Sequence, residues 1–252
     1  MSEVLINSYS YVSGVTYPDS LGALNLTVAS ADMLVSGGKF DNCLDFNGSS
    51  YLVNANNIYS AMTTTGTVAM WINVEGLVNG QNFWGFGGED DETFLRIFMD
   101  GTGGNVAAGI KVGGTWAWLA YCEAGDISTT GWYSLIVTHN GTVPEIYING
   151  VASIASYGVT TDKTVWISGL TDGALARFGV ARYDGSNNGY FDGQEDDVGI
   201  YSADIGASLA SDIYNSGTGK KISEVSTANC KAYFTNNALG DTVLLPNDAL
   251  PV

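Results

Sequence analysis

The chain has 252 residues, 9 Lys and Arg against 26 Asp and Glu, and a formal net charge of −17, a balance that argues against nucleic acid or an anionic membrane as partner. With 45% hydrophobic residues, 14% charged and 33 glycines, it carries apolar surface for a core and does not read as an acidic disordered tail. The length suits a single β-sandwich domain, alone or with an appendage. No run approaches the roughly 18 apolar residues of a membrane helix, and residues 1–13 lack the basic start and apolar stretch of a secretion signal. A soluble product of the cytosol without membrane insertion is therefore expected. Three cysteines, Cys43, Cys122 and Cys230, are too few and too odd in number for a disulfide framework and are expected as buried thiols.

Along the chain, short alternating apolar segments are cut by Gly, Asn and Asp about every ten residues, the pattern of antiparallel strands. Val68, Met70, Ile72 and Val74 share one strand face, as do Leu95, Ile97 and Met99, then Val106, Ala108, Ile110 and Val112. Trp116, Trp118 and Ala120 continue the series, followed by Tyr133, Leu135 and Val137, then Ile146 and Ile148. Asn149-Gly150 is a strong two-residue hairpin signal before Val151. One helix is expected where Ile205, Leu209 and Ile213 recur four apart, after a Ser202 or Asp204 cap and before Gly217, plugging one end of the sandwich. Composition shifts after Gly217, which divides the chain into a domain over 1–217 and a segment over 218–252, a closing strand or a docking arm.

Several groups carry possible chemistry. Trp84, Phe86, Trp116, Trp118 and Tyr121 form a dense aromatic set. Flat rings stack on sugars, so Trp84, Trp116, Trp118 and Tyr121 are candidate glycan contacts, with core packing as the alternative. Asp184, Ser186, Asn188, Gly189, Asp192 and Glu195 fall at positions 1, 3, 5, 6, 9 and 12 of an EF-hand-like calcium loop; the alternative is a polar hairpin leading into a strand. Glu89 to Glu92 packs four carboxylates into one loop, which normally stays solvated. Asp196 has the parity of Val198 and Ile200 and is expected on their apolar face, where a carboxylate needs a partner. The lone His139 is expected at the surface end of a strand rather than as a base.

Three segments resemble the laminin-G-like group of the concanavalin A-like lectin and glucanase superfamily. They are Gly37 to Phe40 with Cys43 to Gly48 and Tyr51 to Val53; Trp132 to Gly141 with Ile146 to Gly150; and Gly193 to Tyr201 followed by Ser202 to Gly217. The match spans roughly residues 16–217 and implies an all-β fold: a two-sheet antiparallel jelly-roll sandwich with one short helix. His139, Glu195 and Asp197 depart from the family pattern. The resemblance also implies that Asp196 can hold a structural calcium with backbone oxygens from Tyr17 to Gly22, with backbone N–H groups on the carboxylate as the alternative.

No Glu, Asp and Glu triplet alternates on an aromatic-rich strand, as the hydrolases of this fold would require, and one histidine offers little to a lyase. The expectation is therefore a non-enzymatic interaction module. A bacteriophage virion protein, in the tail or as a capsid decoration, is favoured as its setting: made in the host cytoplasm, released by lysis, and acting as a homo-oligomer on a glycan or on neighbouring virion proteins. A calcium-dependent glycan hydrolase or lyase, or a cell-surface carbohydrate-binding module, is the alternative.

Overall fold

The computed structural model describes residues 4–6, 26–28, 34–54, 61–87, 92–129, 131–170, 175–183, 185–225, 228–234 and 243–245. The first strands are β1 (Val4–Ile6), β2 (Leu26–Val28), β3 (Leu34–Gly38), β4 (Asp41–Asn47), β5 (Leu52–Asn54) and β6 (Gly66–Val74). A meander follows, β7 (Asn82–Gly87), β8 (Phe94–Asp100), β9 (Asn105–Val112) and β10 (Thr115–Cys122), then β11 (Trp132–His139), β12 (Pro144–Ile148), β13 (Val151–Ala152) and β14 (Ile154–Thr160). The last are β15 (Leu175–Phe178), β16 (Ala181–Tyr183), β17 (Ser186–Asn188), β18 (Asp192–Tyr201), β19 (Cys230–Phe234) and β20 (Val243–Leu245). Helices α1 (Gly206–Tyr214) and α2 (Ile222–Val225) lie between β18 and β19.

Two antiparallel sheets make the sandwich. The front sheet has the order β14-β10-β9-β8-β7-β15-β5-β2 and the back sheet β13-β12-β11-β6-β18-β4-β3, with β19 pairing along β18 beyond the end of β4. The alternating apolar residues read from the sequence meet between them: Val68, Met70, Ile72 and Val74 share one buried cluster with Leu95, Ile97, Met99, Val106, Ala108, Ile110, Leu135, Val137, Ile146 and Ile148. Strict period-2 patterning on every long strand selects this one register, because a slip by one residue would turn each apolar set outward. Val112 lies past the covered area and is 37% exposed. Asn149 (φ 51°) and Gly150 (φ 77°) form the expected tight turn between β12 and β13.

The outer face of the back sheet is coated by the chain's own C-terminal part. Ala69, Trp71, Ile136, Tyr147 and Tyr201 from the sheet form a second buried cluster with Ala210 and Ile213 of α1, Ile222 of α2 and Cys230 and Tyr233 of β19. Helix α1 thus lies over the back face, not as a plug in one end of the sandwich. Its apolar stripe is matched to exposed sheet side chains rather than to the inter-sheet gap. Asp204 Oδ1 accepts the Gly206 N–H at 2.9 Å and anchors the helix start, while Asn215 in the left-handed region ends it. At the rim of this coat, Lys39 Nζ sits 4.4 Å above the Trp71 ring and donates to the Gly217 carbonyl at 3.2 Å. The cysteines are free and buried.

Candidate functional site

The coat of α1, α2 and β19 lies on the back sheet; on the front sheet, the residues of the outer face follow from strand parity. On β8, Leu95, Ile97 and Met99 enter the core, so Phe94, Arg96, Phe98 and Asp100 face outward. On β10 a bulge intervenes: Trp116 pairs with Lys111 and Trp118 with Ile110, so Ala117 is the extra residue. The bulge separates two tryptophans that simple alternation places together. Trp118 is fully buried, in the inter-sheet core, where its indole N–H donates to the Val165 carbonyl at 2.8 Å. Trp116 lies on the opposite, outer side, with Tyr121, Leu119, Phe98, Ala107 and Val159. Trp84 is also fully buried and stacks on Phe86 at 5.8 Å. Of the four aromatic candidates, Trp84 and Trp118 are therefore core residues with no ring face for a ligand, while Trp116 and Tyr121 are half-buried on the open face.

Those two rings lie against glycines. A Cβ at Gly109 would stand 2.8 Å from Cζ3 of Trp116, and one at Gly158 would stand 2.5 Å from Cε2 of Tyr121. Only the missing side chains let both rings bed down on the sheet. Between β8 and the β16–β17 hairpin, the Arg96 guanidinium is held by rings: 3.9 Å above Phe98, 4.9 Å from the Tyr183 centroid and 5.4 Å from that of Trp116. Burial lowers its pKa, opposed by Tyr183, to which it hydrogen-bonds, and by Asp100 and Tyr121. Phe94 packs edge-on to Trp116 at 5.6 Å. The hairpin itself rests on this face, since a Cβ at Gly85 would meet Ala181 at 3.0 Å. All three arginines of the chain belong here: Arg96, Arg177, whose Nη1 donates to the Gly87 carbonyl at 3.0 Å, and Arg182 on the hairpin opposite Asn187. The result is a shelf on which Trp116, Tyr121, Tyr183, Arg96 and Arg182 stay half-exposed over the buried Phe94, Phe98 and Arg177, of the kind that fits a polyhydroxylated ring with an apolar face. The sequence analysis missed Arg96 and Tyr183. The signal for Arg96 was present, since Phe94, Arg96 and Phe98 alternate with a complete apolar set.

Trp116 also walls a cavity of about 520 Å³ at the edge of the shelf, lined further by Thr64, Thr115, Thr161, Asp162 and Thr164. His139 supports the loop beside this cavity. It is fully buried, not at the surface, because residues 163–166 fold over the end of β11. Its ring stacks on Trp166 at 5.3 Å, Nε2 meets the Lys163 carbonyl at 2.7 Å, and Nδ1 lies 3.0 Å from the Gly141 N–H, which it accepts.

The carboxylates of β18 do other work. A register shift with Asp197 at φ 55° breaks the alternation between Asp196 and Gly199. Asp196 therefore leaves the face of Val198 and Ile200 and turns to the coated side, where Oδ2 accepts the Phe40 N–H at 2.9 Å. Glu195 instead enters the core and is fully buried; desolvation pushes its carboxyl well above the usual range, against a hydrogen bond from the Gly179 backbone. Asp197 takes the Ile222 N–H on Oδ2 and the Tyr233 hydroxyl on Oδ1, and burial pushes it up to about 7. In the EF-hand-like spacing, Ser186 and Asn188 lie in the β16–β17 hairpin, with Asn188 Nδ2 donating to the Tyr183 carbonyl at 2.7 Å. Asp192 begins β18, and Asp184 and Tyr17 to Gly22 lie outside the described residues. Glu195, at position 12 of that spacing, is turned into the core. Among the described residues no three His, Cys, Asp or Glu side chains assemble as a metal-ligand set. Of the acidic loop, residues 89–91 lie outside the described residues and Glu92 is exposed.

A laminin G model of the concanavalin A-like lectin/glucanases superfamily matches residues 46–208. The chain belongs to this family. A comparison with curated protein sequences found no match. Among solved structures, this laminin-G-type chain is similar to domain 4 of AbnA, a GH43 extracellular arabinanase from Geobacillus stearothermophilus, solved in complex with arabinotriose. The TM-score is 0.54 at 19% identity, over 77% of this chain and 90% of that one. It is similar also to the CBM40 of the Ruminococcus gnavus IT-sialidase, bound to α2,3 sialyllactose, with TM-score 0.52 at 12% identity over 62% and 85% of the two chains. The NanB sialidase of Streptococcus pneumoniae matches at TM-score 0.54 and 17% identity, over 67% of this chain and 27% of that enzyme. At these identities the likeness is one of fold.

Proposed function

We propose that the protein is a non-catalytic glycan-binding module whose binding surface is the open outer face of the front sheet. The observation that carries this reading is the pair of half-buried rings, Trp116 and Tyr121, bedded on Gly109 and Gly158 beside Arg96, on the sheet face opposite the coat of α1, α2 and β19. Two of the similar structures are carbohydrate complexes, one with arabinotriose and one with sialyllactose, and support the same reading. The carboxylates speak for binding rather than hydrolysis. Among the described residues Asp100 ends β8 and Glu92 precedes it, eight residues away and roughly 25 Å in extended chain, whereas a glycosidase pair needs about 5 to 9.5 Å.

The sequence considerations alone extend the proposal to its setting, a bacteriophage tail or capsid decoration, in which copies of the module raise weak single-site affinity by avidity. Detection of the chain in purified particles checks that setting. The binding itself is tested on a glycan array, with calcium and with chelator, for the wild type and for Trp116→Ala and Tyr121→Ala. The expected result is at least one glycan retained by the wild type and lost by both variants with little change in melting temperature. A folded, multivalently presented wild type that retains no glycan overturns the proposal.

A further inference from the structure

The cavity beside the shelf differs from it in chemistry. Its wall combines four threonine hydroxyls with two rings, Trp116 and Trp166, and one carboxylate, Asp162. The Asp162 N–H is tied to the Ala117 carbonyl at 2.8 Å, which sets the residue directly against the bulge in β10. Both donors of Thr164, the N–H at 2.9 Å and the hydroxyl at 2.6 Å, fall on the same oxygen, Oδ1. They hold the carboxyl below its ordinary range and leave Oδ2 to accept from a ligand. The position of Asp162 is thus fixed from both sides before anything binds, and its acceptor oxygen stands at a hydroxyl-rich cavity with an indole wall. The volume, about 520 Å³, lies within the range of roughly 300–1,000 Å³ typical of small-molecule sites.

Resting on the glycan-binding reading, we infer that this cavity receives one neutral sugar unit of a glycan, with neighbouring units lying over the shelf. Trp116 belongs to both parts and is the junction between them. The unit is a neutral ring: a carboxylate that accepts hydrogen bonds repels a second carboxylate, and Asp162 is the one ionisable group among the residues lining the cavity.

The test is saturation-transfer NMR with the methyl glycosides of glucose, galactose, mannose, N-acetylglucosamine and arabinose, each a single neutral unit too small to span the shelf. Wild type is compared with Asp162→Ala, with Thr161→Arg, which fills the cavity while leaving the Asp162 hydrogen bonds intact, and with Tyr121→Ala. The expected result is transfer to at least one methyl glycoside, reduced tenfold or more by Asp162→Ala and Thr161→Arg and retained by Tyr121→Ala. Transfer unaffected by both cavity variants overturns the inference, as does the absence of transfer to every methyl glycoside by a protein that binds glycans on the array. In those cases the shelf reading survives. Loss of all array binding by the wild type removes the shelf reading itself, so the two failures are told apart.

Discussion

Asp197 is a buried carboxyl whose effect on stability should change sign of slope from the ordinary acidic residue. It is 1% exposed, sits in the β18 bulge at φ 55°, and accepts from the Ile222 N–H and the Tyr233 hydroxyl. Desolvation outweighs these two donors and the nearby Lys221, with Asp196 adding to it, so the group moves from 3.8 to about 7. A carboxyl raised in the folded state binds its proton more tightly there than in the unfolded chain. Its contribution is therefore fully present below pH 3.8 and is lost as the pH rises to about 7. At about 1.4 kcal/mol per tenfold change in proton affinity, the loss amounts to roughly 4 kcal/mol, or about 10 °C in melting temperature for a chain of this size. Asp197→Asn abolishes this titration. Asn tolerates the left-handed backbone, its Oδ1 keeps the Ile222 N–H, and its amide can donate to Tyr233, whose hydroxyl reverses its role. Thermal melts from pH 4 to pH 8 should show the wild type losing stability with rising pH and the variant losing less, Glu195 supplying the remainder of the slope. At pH 8 the variant should melt about 10 °C higher, and near pH 4 the two should converge. A variant that melts below the wild type at pH 8 would refute the reasoning, because the two donors would then outweigh desolvation of the ionised form.

Three other perturbations separate core, shelf and coat. Trp118→Ala removes a fully buried ring and should cost about 3–5 kcal/mol in urea denaturation, whereas Trp116→Ala should stay within about 1 kcal/mol. Gly158→Ala places a methyl where Cε2 of Tyr121 now lies and meets only that side chain within reach; it should lower glycan affinity measured by calorimetry while leaving the melting temperature nearly unchanged. Removing residues 218–252 strips Ile222, Cys230 and Tyr233 from Trp71 and Tyr201, so calorimetry should show a broadened or absent unfolding transition, together with dye binding to exposed apolar surface.

How far these features could be read from residues alone depends on whether alternation is interrupted. β6, β8, β9, β11 and β12 keep period 2, and their apolar sets, Val112 apart, are found in the inter-sheet core or packed against it. The hairpin at Asn149-Gly150 needs positive φ at two positions and declares itself in two letters. Both misplacements in the site arise at bulges. An extra residue at Ala117 sends Trp116 and Trp118 to opposite sides, and the Asp197 bulge does the same to Asp196 and Val198. Bulges are set by long-range pairing with the neighbouring strand and leave no local signature in segments without glycine. His139 was misplaced for a similar reason, since the loop that buries it comes from residues 163–166, distant in sequence. The helix was legible by its spacing, yet the surface it covers depends on the outward residues of β6, β11 and β18, which alternation assigns to solvent.

The two outer faces of the sandwich make a controlled comparison within one molecule. On the back face Trp71, Tyr147 and Tyr201 project outward, and the chain folds two helices and a strand over them until each is at most 5% exposed. That coat demonstrates what this sequence does with outward aromatics whose task is stability. On the front face Phe94 and Phe98 are buried just as well, at 4% and 3% exposure, whereas Trp116, Tyr121 and Tyr183 remain half-buried. Burying a ring more completely gains roughly 25 cal/mol per Å² of apolar surface, so leaving three of them open gives up stability that the back face shows to be within reach. Glycines at 109 and 158 add to that loss, since a β-strand glycine orders more backbone for less packing. Positions that weaken the sheet while bedding aromatic rings on it are what the proposed glycan-binding surface requires, and the Gly158→Ala variant tests that link directly.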